Sequence, residues 1–529
     1  MVSVAVTLAE RLRLALARVG LDVTEAPQVV PTADARFGDY QSNVALIQAK
    51  RLKENPRALA GRLVAALDLE DLGPAPEIAG PGFINFRLGP TFVAAQLGQI
   101  ARDDRLGVPP AGTPRTIVVD FSSPNVAKPM HVGHIRSTVL GDALARVARF
   151  LGHRVITDNH LGDWGTQFGK VIYGWKHLLD RAALDRAPIR ELVRVYREAD
   201  AAANADPQVL AACREELVRL QQGDPENLRI WGECVHRSKQ EFAHIYDLLQ
   251  VRFDEQLGES FYNARLPHVA HALEKAGLAA ESEGALVYWD RRLSEDPFIV
   301  RKGDGGFGYA ATDVATLEYR VERWHPDAVW YVVGAPQQLH FRQLFSLARR
   351  LGVTADLQHI AFGSILGEDR KLMRTRSGES VALRDLLDEA IERATILVAE
   401  KNPDFSLETR REIGQTVGLG AIKYAELSQH RLTDYVFSWE KLLSLQGNTA
   451  PYLQNAYVRS RAIFRKLGEP FVLPPGFSFT AEAELILAKK LLQFGDAVPA
   501  ILEGFRPNVL ANYLYELAAV YHSFYEECP

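Results

Sequence analysis

The middle of the chain alternates short apolar runs with longer stretches whose apolar positions recur every three or four residues. The first pattern predicts strands that are covered on both faces, and the second predicts helices. The apolar runs lie at 116–121, 154–158, 285–289, 328–333 and 357–362. The helical stretch at 135–151 directly follows the first run. Strands and helices in alternation predict an α/β fold with a doubly wound parallel sheet.

The two ends of the chain have different patterns. Residues 1–112 mix amphipathic helices with a short strand, and the Gly- and Pro-rich segment 106–114 has the composition of a linker. We therefore expect a small α+β domain before the α/β block at 113–395. A long charged stretch of helical period, about 173–250, predicts an insertion within that block. Residues 396–529 are helical in period throughout, which predicts an all-α bundle.

The composition narrows the class of protein. A chain of 529 residues, 47% hydrophobic and 24% charged, can form roughly two to four globular domains. Three cysteines are too few for a disulfide framework, so we expect a reducing, cytoplasmic location. No apolar run reaches the roughly eighteen residues that a membrane span needs. Because the net charge is −5, any nucleic-acid surface must be a local cluster of basic side chains.

The loop between the first strand and its helix concentrates the chemistry of the chain. Its sequence is Ser-Ser-Pro-Asn-Val-Ala-Lys-Pro-Met-His-Val-Gly-His, residues 122–134. His131 and His134 share one face of the first helical turn, where free backbone N–H groups and the helix dipole favour a phosphate. Gly133 leaves room for a flat ring to approach the backbone. A strand, a loop and a helix start that carries histidines are what nucleotidyl transfer from ATP needs, so we predict that chemistry. No Cys-x-x-Cys pair accompanies the histidines, so we expect no protein-bound metal.

This loop resembles the His-x-Gly-His signature of class I aminoacyl-tRNA synthetases, and the residues that flank the signature resemble the arginyl-tRNA synthetase family in particular. Phe-Gly-Asp-Tyr-Gln-Ser-Asn at 37–43 and Asn-Thr-Ala-Pro-Tyr-Leu-Gln-Asn-Ala at 448–456 extend the resemblance to both ends of the chain. It implies a Rossmann-like catalytic core, an N-terminal domain that contacts tRNA and an anticodon-binding helical bundle. Family members usually continue for some tens of residues beyond the position of Pro529, so we expect a bundle that is shortened at its C-terminal end.

The implied activity is the ATP-dependent ligation of L-arginine to tRNA(Arg) through an arginyl-adenylate, with release of pyrophosphate and AMP. By the same resemblance His131 and His134 donate hydrogen bonds to ATP, Gly133 lies beside the nucleotide, and Lys128 adds positive charge near the phosphates. Mg²⁺ is expected with ATP by family analogy. The resemblance also implies that tRNA must be present before the amino acid is activated.

A second basic loop follows the last predicted strand, at 367–379. Ligands of open α/β sheets bind beyond the carboxyl ends of the strands, so this position suits a substrate contact. Class I synthetases place a Lys-Met-Ser-Lys-Ser loop there. This chain has Lys371, Arg374 and Arg376 instead, with Met373 among them at the expected ATP position. Which of the three cations touches phosphate is left open.

A pocket for arginine needs a particular set of groups. A guanidinium has five donors and no acceptor, so it calls for carboxylate, amide or carbonyl oxygens in a planar array. Tyr309 and Asp313 lie one turn apart at a predicted helix start, and the resemblance implies that they bind the guanidinium together with Gln337. It places the α-amino end near the signature loop. The implied arginine-binding residues are Asp120, Ser123, Asn125, Tyr309, Asp313 and Gln337.

Several alternatives stay open at this point. Arg459 and Arg461 give one bundle helix a basic face, which fits either a tRNA contact or plain solvation. A small-molecule nucleotidylyltransferase shares His-x-Gly-His but has no use for the two flanking domains. A non-catalytic, synthetase-like RNA-binding protein is the other alternative, although it is expected to have lost a histidine or part of the pocket. The family resemblance implies a monomer without a membrane partner.

Overall fold

Segments from opposite ends of the chain build one of the two units of this fold. The computed structural model describes residues 3–21, 27–32, 34–374, 380–468 and 470–528. One unit is Thr113–Leu443, and the other joins Met1–Gly112 to Ser444–Pro529. The division into three domains at residues 112 and 395 stays a prediction, and the helices that follow residue 395 as far as Leu443 pack within the first of these units.

The N-terminal segment has an α+β structure. Its elements are α1 (Val4–Arg18), β1 (Val30–Pro31), β2 (Tyr40–Ser42), α2 (Val44–Leu52), α3 (Pro56–Ala66), β3 (Glu77–Ala79), β4 (Phe83–Phe86) and α4 (Pro90–Ile100). The four strands form an antiparallel sheet in the order β1-β2-β4-β3. Ser3 caps α1 through its hydroxyl, and Asn55 caps α3 ahead of a proline at the first helical position.

The unit Thr113–Leu443 contains the sheet that the apolar runs predict. Its strands are β5 (Thr116–Phe121), β6 (Arg154–Asp158), β7 (Ala279–Ser282), β8 (Ala285–Tyr288), β9 (Phe298–Arg301), β10 (Ala328–Val332), β11 (Asp356–His359), β12 (Ile365–Leu366) and β13 (Tyr435–Val436). The order β11-β10-β5-β6 is parallel throughout. The central strand β5 has β6 on one side and β10 on the other, so the chain switches direction across the sheet beside β5.

Helices cover this sheet and fill the predicted insertion. They are α5 (Val132–Phe150), α6 (Gln167–His177), α7 (Arg181–Arg186), α8 (Pro188–Ala205), α9 (Pro207–Gln221), α10 (Pro225–Leu249), α11 (Leu266–Lys275), α12 (Tyr309–Trp324), α13 (Gln338–Arg350), α14 (Leu383–Lys401), α15 (Leu407–Ser428) and α16 (Trp439–Leu442), with short 3₁₀ turns at Glu259–Arg265 and Ala335–Gln337. Helix α5 packs closely on β5, because a Cβ atom at Gly141 would lie 2.2 Å from Phe121 Cγ.

The apolar run at 285–289 forms a strand, β8, that lies outside the parallel sheet. It pairs antiparallel with β7 and β9 in a separate three-stranded sheet. The reason is the two-residue connection from β7, in which Glu283 and Gly284 have φ angles of 51° and 79°. Such a turn joins antiparallel neighbours, whereas parallel neighbours need a long crossover.

The C-terminal segment is helical, with α17 (Ala450–Leu467), α18 (Glu482–Leu492), α19 (Phe494–Ala500) and α20 (Asn508–Glu527). It packs on the N-terminal segment of the same unit: Tyr40 Oη donates to Asp496 Oδ2 at 2.7 Å, and Lys489 Nζ lies 2.8 Å from Asp39 Oδ2. The predicted fold class, an α/β core with an α+β domain before it and helices after it, is confirmed. None of the described helices has the length and apolar character that crossing a membrane requires.

Candidate active site

The loop from β5 to α5 has a strained backbone that its neighbours hold in place. Ser122, Ser123 and Ala127 have φ angles of 73°, 47° and 59°, which are uncommon for residues with a Cβ atom. The backbone N–H of Ser123 donates to Asn159 Oδ1 at 3.0 Å, and that of Ala127 donates to Ser238 Oγ at 3.0 Å. Strain of this kind persists only where the surroundings overdetermine the conformation. The loop is therefore built to one shape.

The two histidines of the loop occupy opposite ends of a capping box at the start of α5. The backbone N–H of Gly133 donates to His131 Nδ1 at 3.1 Å, and the backbone N–H of His131 donates to His134 Nδ1 at 3.0 Å. The ring centroids are 3.9 Å apart. A Cβ atom at position 133 would lie 2.9 Å from His131 Cε1, so this geometry needs glycine there.

These hydrogen bonds determine which ring nitrogen carries the proton. Each Nδ1 accepts a backbone N–H, and although His134 Nδ1 also lies 3.3 Å from the His131 carbonyl oxygen, its bond from the His131 N–H is the shorter at 3.0 Å. We therefore assign the proton of each neutral imidazole to Nε2. Partial desolvation lowers the pKa of His131, and burial together with the neighbouring His131 lowers the pKa of His134 to about 3. At neutral pH the start of α5 therefore presents two uncharged Nε2–H donors.

The second basic loop is joined to the histidine loop through the backbone. Val132 N–H donates to Val381 O at 2.9 Å, and Leu383 N–H donates to Met130 O at 2.8 Å, one bond on each side of His131. At the other end of the basic loop β12 pairs with β13. Both ends are thus fixed beside the carboxyl edge of the parallel sheet.

The predicted cations of the two loops lie at the surface. Lys371 and Arg374 are exposed and Met373 is half-buried, whereas Arg376 lies outside the described residues. Lys128 is also exposed, and its Nζ lies 5.7 Å from the centroid of the Tyr196 ring. A loop cation that is exposed can approach a phosphate without breaking a buried ion pair.

The residues expected to bind guanidinium lie at the start of α12 and just before α13. Tyr309 is the first residue of α12 and is 75% exposed, and Gln337 is an exposed residue at the end of the 3₁₀ turn. Asp313, one turn into α12, is a quarter exposed and pairs with Nε2 of His340. The carboxylate of Asp313, which is predicted to bind guanidinium, is therefore paired with His340 of α13 in this structure.

Glu259 belongs to the same acidic group, although sequence reasoning did not select it. Burial, together with repulsion from the nearby Asp313 and Asp163, raises its pKa to about 8. Asp163 accepts from the backbone N–H and the hydroxyl of Ser260, both at 2.8 Å. Gly258-Glu259-Ser260 has no local spacing that marks a site, so only the fold could show that Glu259 lies near enough to Asp313 to be affected by its charge.

Asp120 is a buried member of an ion cluster. Its Oδ2 lies 2.6 Å from Nη2 of Arg320, and its Oδ1 accepts the Ser123 hydroxyl at 3.0 Å. Asn125 is exposed in the same loop and forms a parallel bridge with Gly162. The segment around Gly162 and Asn159, for which sequence reasoning had no chemical role, thus holds the signature loop from the side of β6.

The tRNA-binding residues predicted in the bundle differ from each other in their surroundings. Arg459 is half-buried on α17, with its guanidinium 5.4 Å from the Tyr525 ring and Nη1 3.3 Å from His522 Nδ1. Arg461 is exposed. The structure therefore uses Arg459 in packing between α17 and α20 and leaves Arg461 at the surface.

Comparison with known proteins agrees with this architecture. Residues 96–439 match the model described as tRNA synthetases class I (R), catalytic domain. Residues 6–88 match the arginyl tRNA synthetase N terminal domain, and 453–529 match the DALR anticodon binding domain. The chain belongs to the arginyl-tRNA synthetase family. Membership in this class I family implies the use of ATP.

Named relatives and solved structures of this family resemble the chain over most of its length. The arginine–tRNA ligase of Synechococcus sp. is 44% identical to it, over 95% of this chain and 89% of the relative. That of Cellvibrio japonicus is also 44% identical, over 98% of this chain and 92% of the relative. The crystal structure of arginyl-tRNA synthetase from Plasmodium falciparum superimposes with a TM-score of 0.84 at 28% identity, covering 100% of this chain and 93% of that one. The Thermus thermophilus arginyl-tRNA synthetase superimposes with a TM-score of 0.78 at 26% identity, covering 99% of this chain and 92% of that one.

Proposed function

We propose that the site described above ligates L-arginine to tRNA(Arg), with His131 and His134 as the donors that bind ATP. The arginine carboxylate attacks the α-phosphorus, pyrophosphate leaves, and the arginyl group then passes from the adenylate to a ribose hydroxyl of tRNA, releasing AMP. Negative charge that develops on the phosphate oxygens is stabilised by the two Nε2–H groups, which are fixed before ATP arrives. The observation that supports this assignment is the pair of backbone-locked imidazoles at the helix N-terminus.

Exposed cations of the two loops complete the phosphate site. Lys128 and the loop residues Lys371 and Arg374 are exposed and can close on the departing pyrophosphate. Among the described residues no group of three His, Cys, Asp or Glu side chains has the geometry of a metal site. Mg²⁺ that accompanies ATP would share the neutralisation of the phosphate charge with Lys128, Lys371 and Arg374. When bound it neutralises phosphate charge, and the protein groups position the nucleotide.

Recognition of arginine is assigned to the acidic group around α12. Asp313 and Glu259 offer two neighbouring carboxyl groups, and a guanidinium satisfies both because its donors are planar and numerous. Binding of that cation favours the charged form of Glu259, which otherwise holds a proton near neutral pH. Tyr309, one turn before Asp313 on α12, and Gln337, three residues before His340, are exposed and are assigned to the same pocket. Lysine cannot span two acceptors in the same way, so the pocket excludes it without a separate editing site.

The remaining assignments concern the partners. Arg461 is proposed to contact tRNA because it is exposed on α17, and the exposed part of the half-buried Arg459 is proposed to contribute to the same surface. We also propose that activation of arginine requires tRNA, that the protein is a monomer and that it is located in the cytoplasm.

The experiment is aminoacylation of unfractionated tRNA with labelled arginine, with lysine in parallel. We expect charging with arginine alone. His134→Ala is expected to lower kcat by about 10²–10³-fold, the cost of one fixed donor at a developing anion, while KM for arginine changes little. His271→Ala on the exposed face of α11 is the control and should leave kcat unchanged. Equal losses in kcat and arginine affinity would show that His134 only packs the helix start.

A further inference from the structure

The buried arginine of helix α12 lies between the ends of two strands. Arg320 Nη2 is 2.6 Å from Asp120 Oδ2 and 2.8 Å from Asp158 Oδ2, and its Nε is 3.1 Å from the same Asp158 oxygen. Asp120 and Asp158 are direct neighbours in the register of β5 and β6. Arg320 is seven residues after Asp313, so the two side chains leave the same face of α12 two turns apart.

The three charges of this cluster do not cancel. Two carboxylates share one guanidinium, which leaves one net negative charge. The pKa of Arg320 is raised by the two aspartates, so it stays a cation. The Tyr331 ring lies 5.5 Å from the guanidinium, and burial raises the pKa of both Tyr331 and Tyr262, so these phenols are neutral. A buried net charge is costly unless a further cation compensates for it.

This negative charge reaches solvent at one place in the cluster. The side chains of Arg320 and Asp158 are 0% exposed, whereas that of Asp120 is 8% exposed. Asp120 is also the member that holds the Ser123 hydroxyl at the start of the signature loop. The cluster is therefore a buried charge with its open edge at the proposed substrate site.

We propose that Asp158 is a positioning residue for substrate selection, acting through Arg320 to keep Asp120 effectively negative toward the α-ammonium group of arginine. Without Asp158, the whole charge of Arg320 would neutralise Asp120. Because Asp158 takes the Nε edge and shares Nη2, Asp120 keeps an uncompensated charge for the incoming ammonium. This inference rests on the proposed function and adds to it a residue that makes no contact with substrate.

The test compares two ligands that differ only at the α-amino group. Dissociation constants of arginine and of 5-guanidinopentanoate, which is arginine without that group, are measured by calorimetry on the full chain. Asp158→Asn removes one unit of charge at nearly constant shape. We expect arginine to lose about 15- to 30-fold in affinity, the effect of a unit charge at roughly 8–10 Å in a medium of effective dielectric constant about 20, and the analogue to change little.

Two further variants keep the proposal falsifiable. Glu426→Gln neutralises a buried carboxylate in a different ion pair and should leave the preference for arginine over the analogue unchanged. Arg320→Lys keeps the net charge of the cluster, so the preference should stay within about threefold of wild type even if Asp158→Asn does not fold. Equal weakening of both ligands by Asp158→Asn, or collapse of the preference in Arg320→Lys, would overturn the proposal. Failure of the wild type to bind either ligand would instead refute the proposed function.

Discussion

Two fully buried arginines of the unit Thr113–Leu443 differ in the number of carboxyl groups that surround them. Arg320 on α12 faces two carboxylates. Arg136 on α5, two residues after His134, faces one: its Nε lies 3.0 Å from Glu426 Oε2, and its Nη1 donates to the Thr433 carbonyl at 3.0 Å. Tyr435 stacks 5.3 Å from the guanidinium and donates its hydroxyl to Glu426 Oε1 at 2.6 Å.

The difference separates architecture from substrate recognition. The centre around Arg136 is closed and pairs one guanidinium with one carboxyl group, and it ties α5 to β13, the partner of the strand that leads into the basic loop. The centre around Arg320 has an excess carboxylate and opens at Asp120. A buried ion pair with matched charges is worth little beyond the geometry it imposes, whereas an unmatched one retains a charge that can attract a ligand.

The largest expected effect on the free energy of unfolding comes from replacing either buried arginine, Arg136 or Arg320, with an uncharged residue. Arg136→Met should lower the free energy of unfolding by about 3–5 kcal/mol, because a buried carboxylate loses its partner. Arg320→Met should cost more, since two carboxylates are then left adjacent and uncompensated. Urea unfolding of both variants measures the difference. Equal losses would contradict the view that the two centres differ in charge balance.

Tyr435→Phe tests the closed centre more gently. It removes a hydrogen bond to a charged acceptor, so we expect a loss of about 1.5–3 kcal/mol in the free energy of unfolding. Arginine affinity should not change, because this centre does not face substrate. Urea unfolding together with the calorimetric dissociation constant distinguishes the two effects, and Tyr457→Phe on the exposed face of α17 is the control.

The smallest effect is a pH dependence of the closed centre. Burial raises the pKa of Glu426 to about 7 from its ordinary 4.5. Between about pH 5 and 7 the folded chain therefore binds more protons at Glu426 than the unfolded chain, so stability falls as pH rises through this window. We expect the free energy of unfolding of wild type, relative to Glu426→Gln, to decline from about pH 5 to about pH 7 and to level off above. A rise over the same window would contradict the assignment.

Local pattern was enough for the elements that carry the nucleotide site. The apolar run at β5 and the helical period of α5 are contiguous in sequence, and His131, Gly133 and His134 lie in one turn. Their hydrogen bonds span two or three residues, so spacing alone brings them together. The run at 285–289 shows the limit: its strand was foreseen, but the turn before it decided which sheet it joined.

By itself the sequence determined the fold class, the family resemblance and the position of the phosphate-binding turn, because these depend on periodicity and short spacing. Only the tertiary structure decided that Glu259 lies near Asp313, that Asp120 and Asp158 share Arg320, and that Arg136 pairs with Glu426. Arg320 is 200 residues from Asp120 and 162 from Asp158 in the chain. Contacts over such separations follow from strand register and helix packing, and the charges that they leave unmatched are visible only once the side chains share a low-dielectric interior.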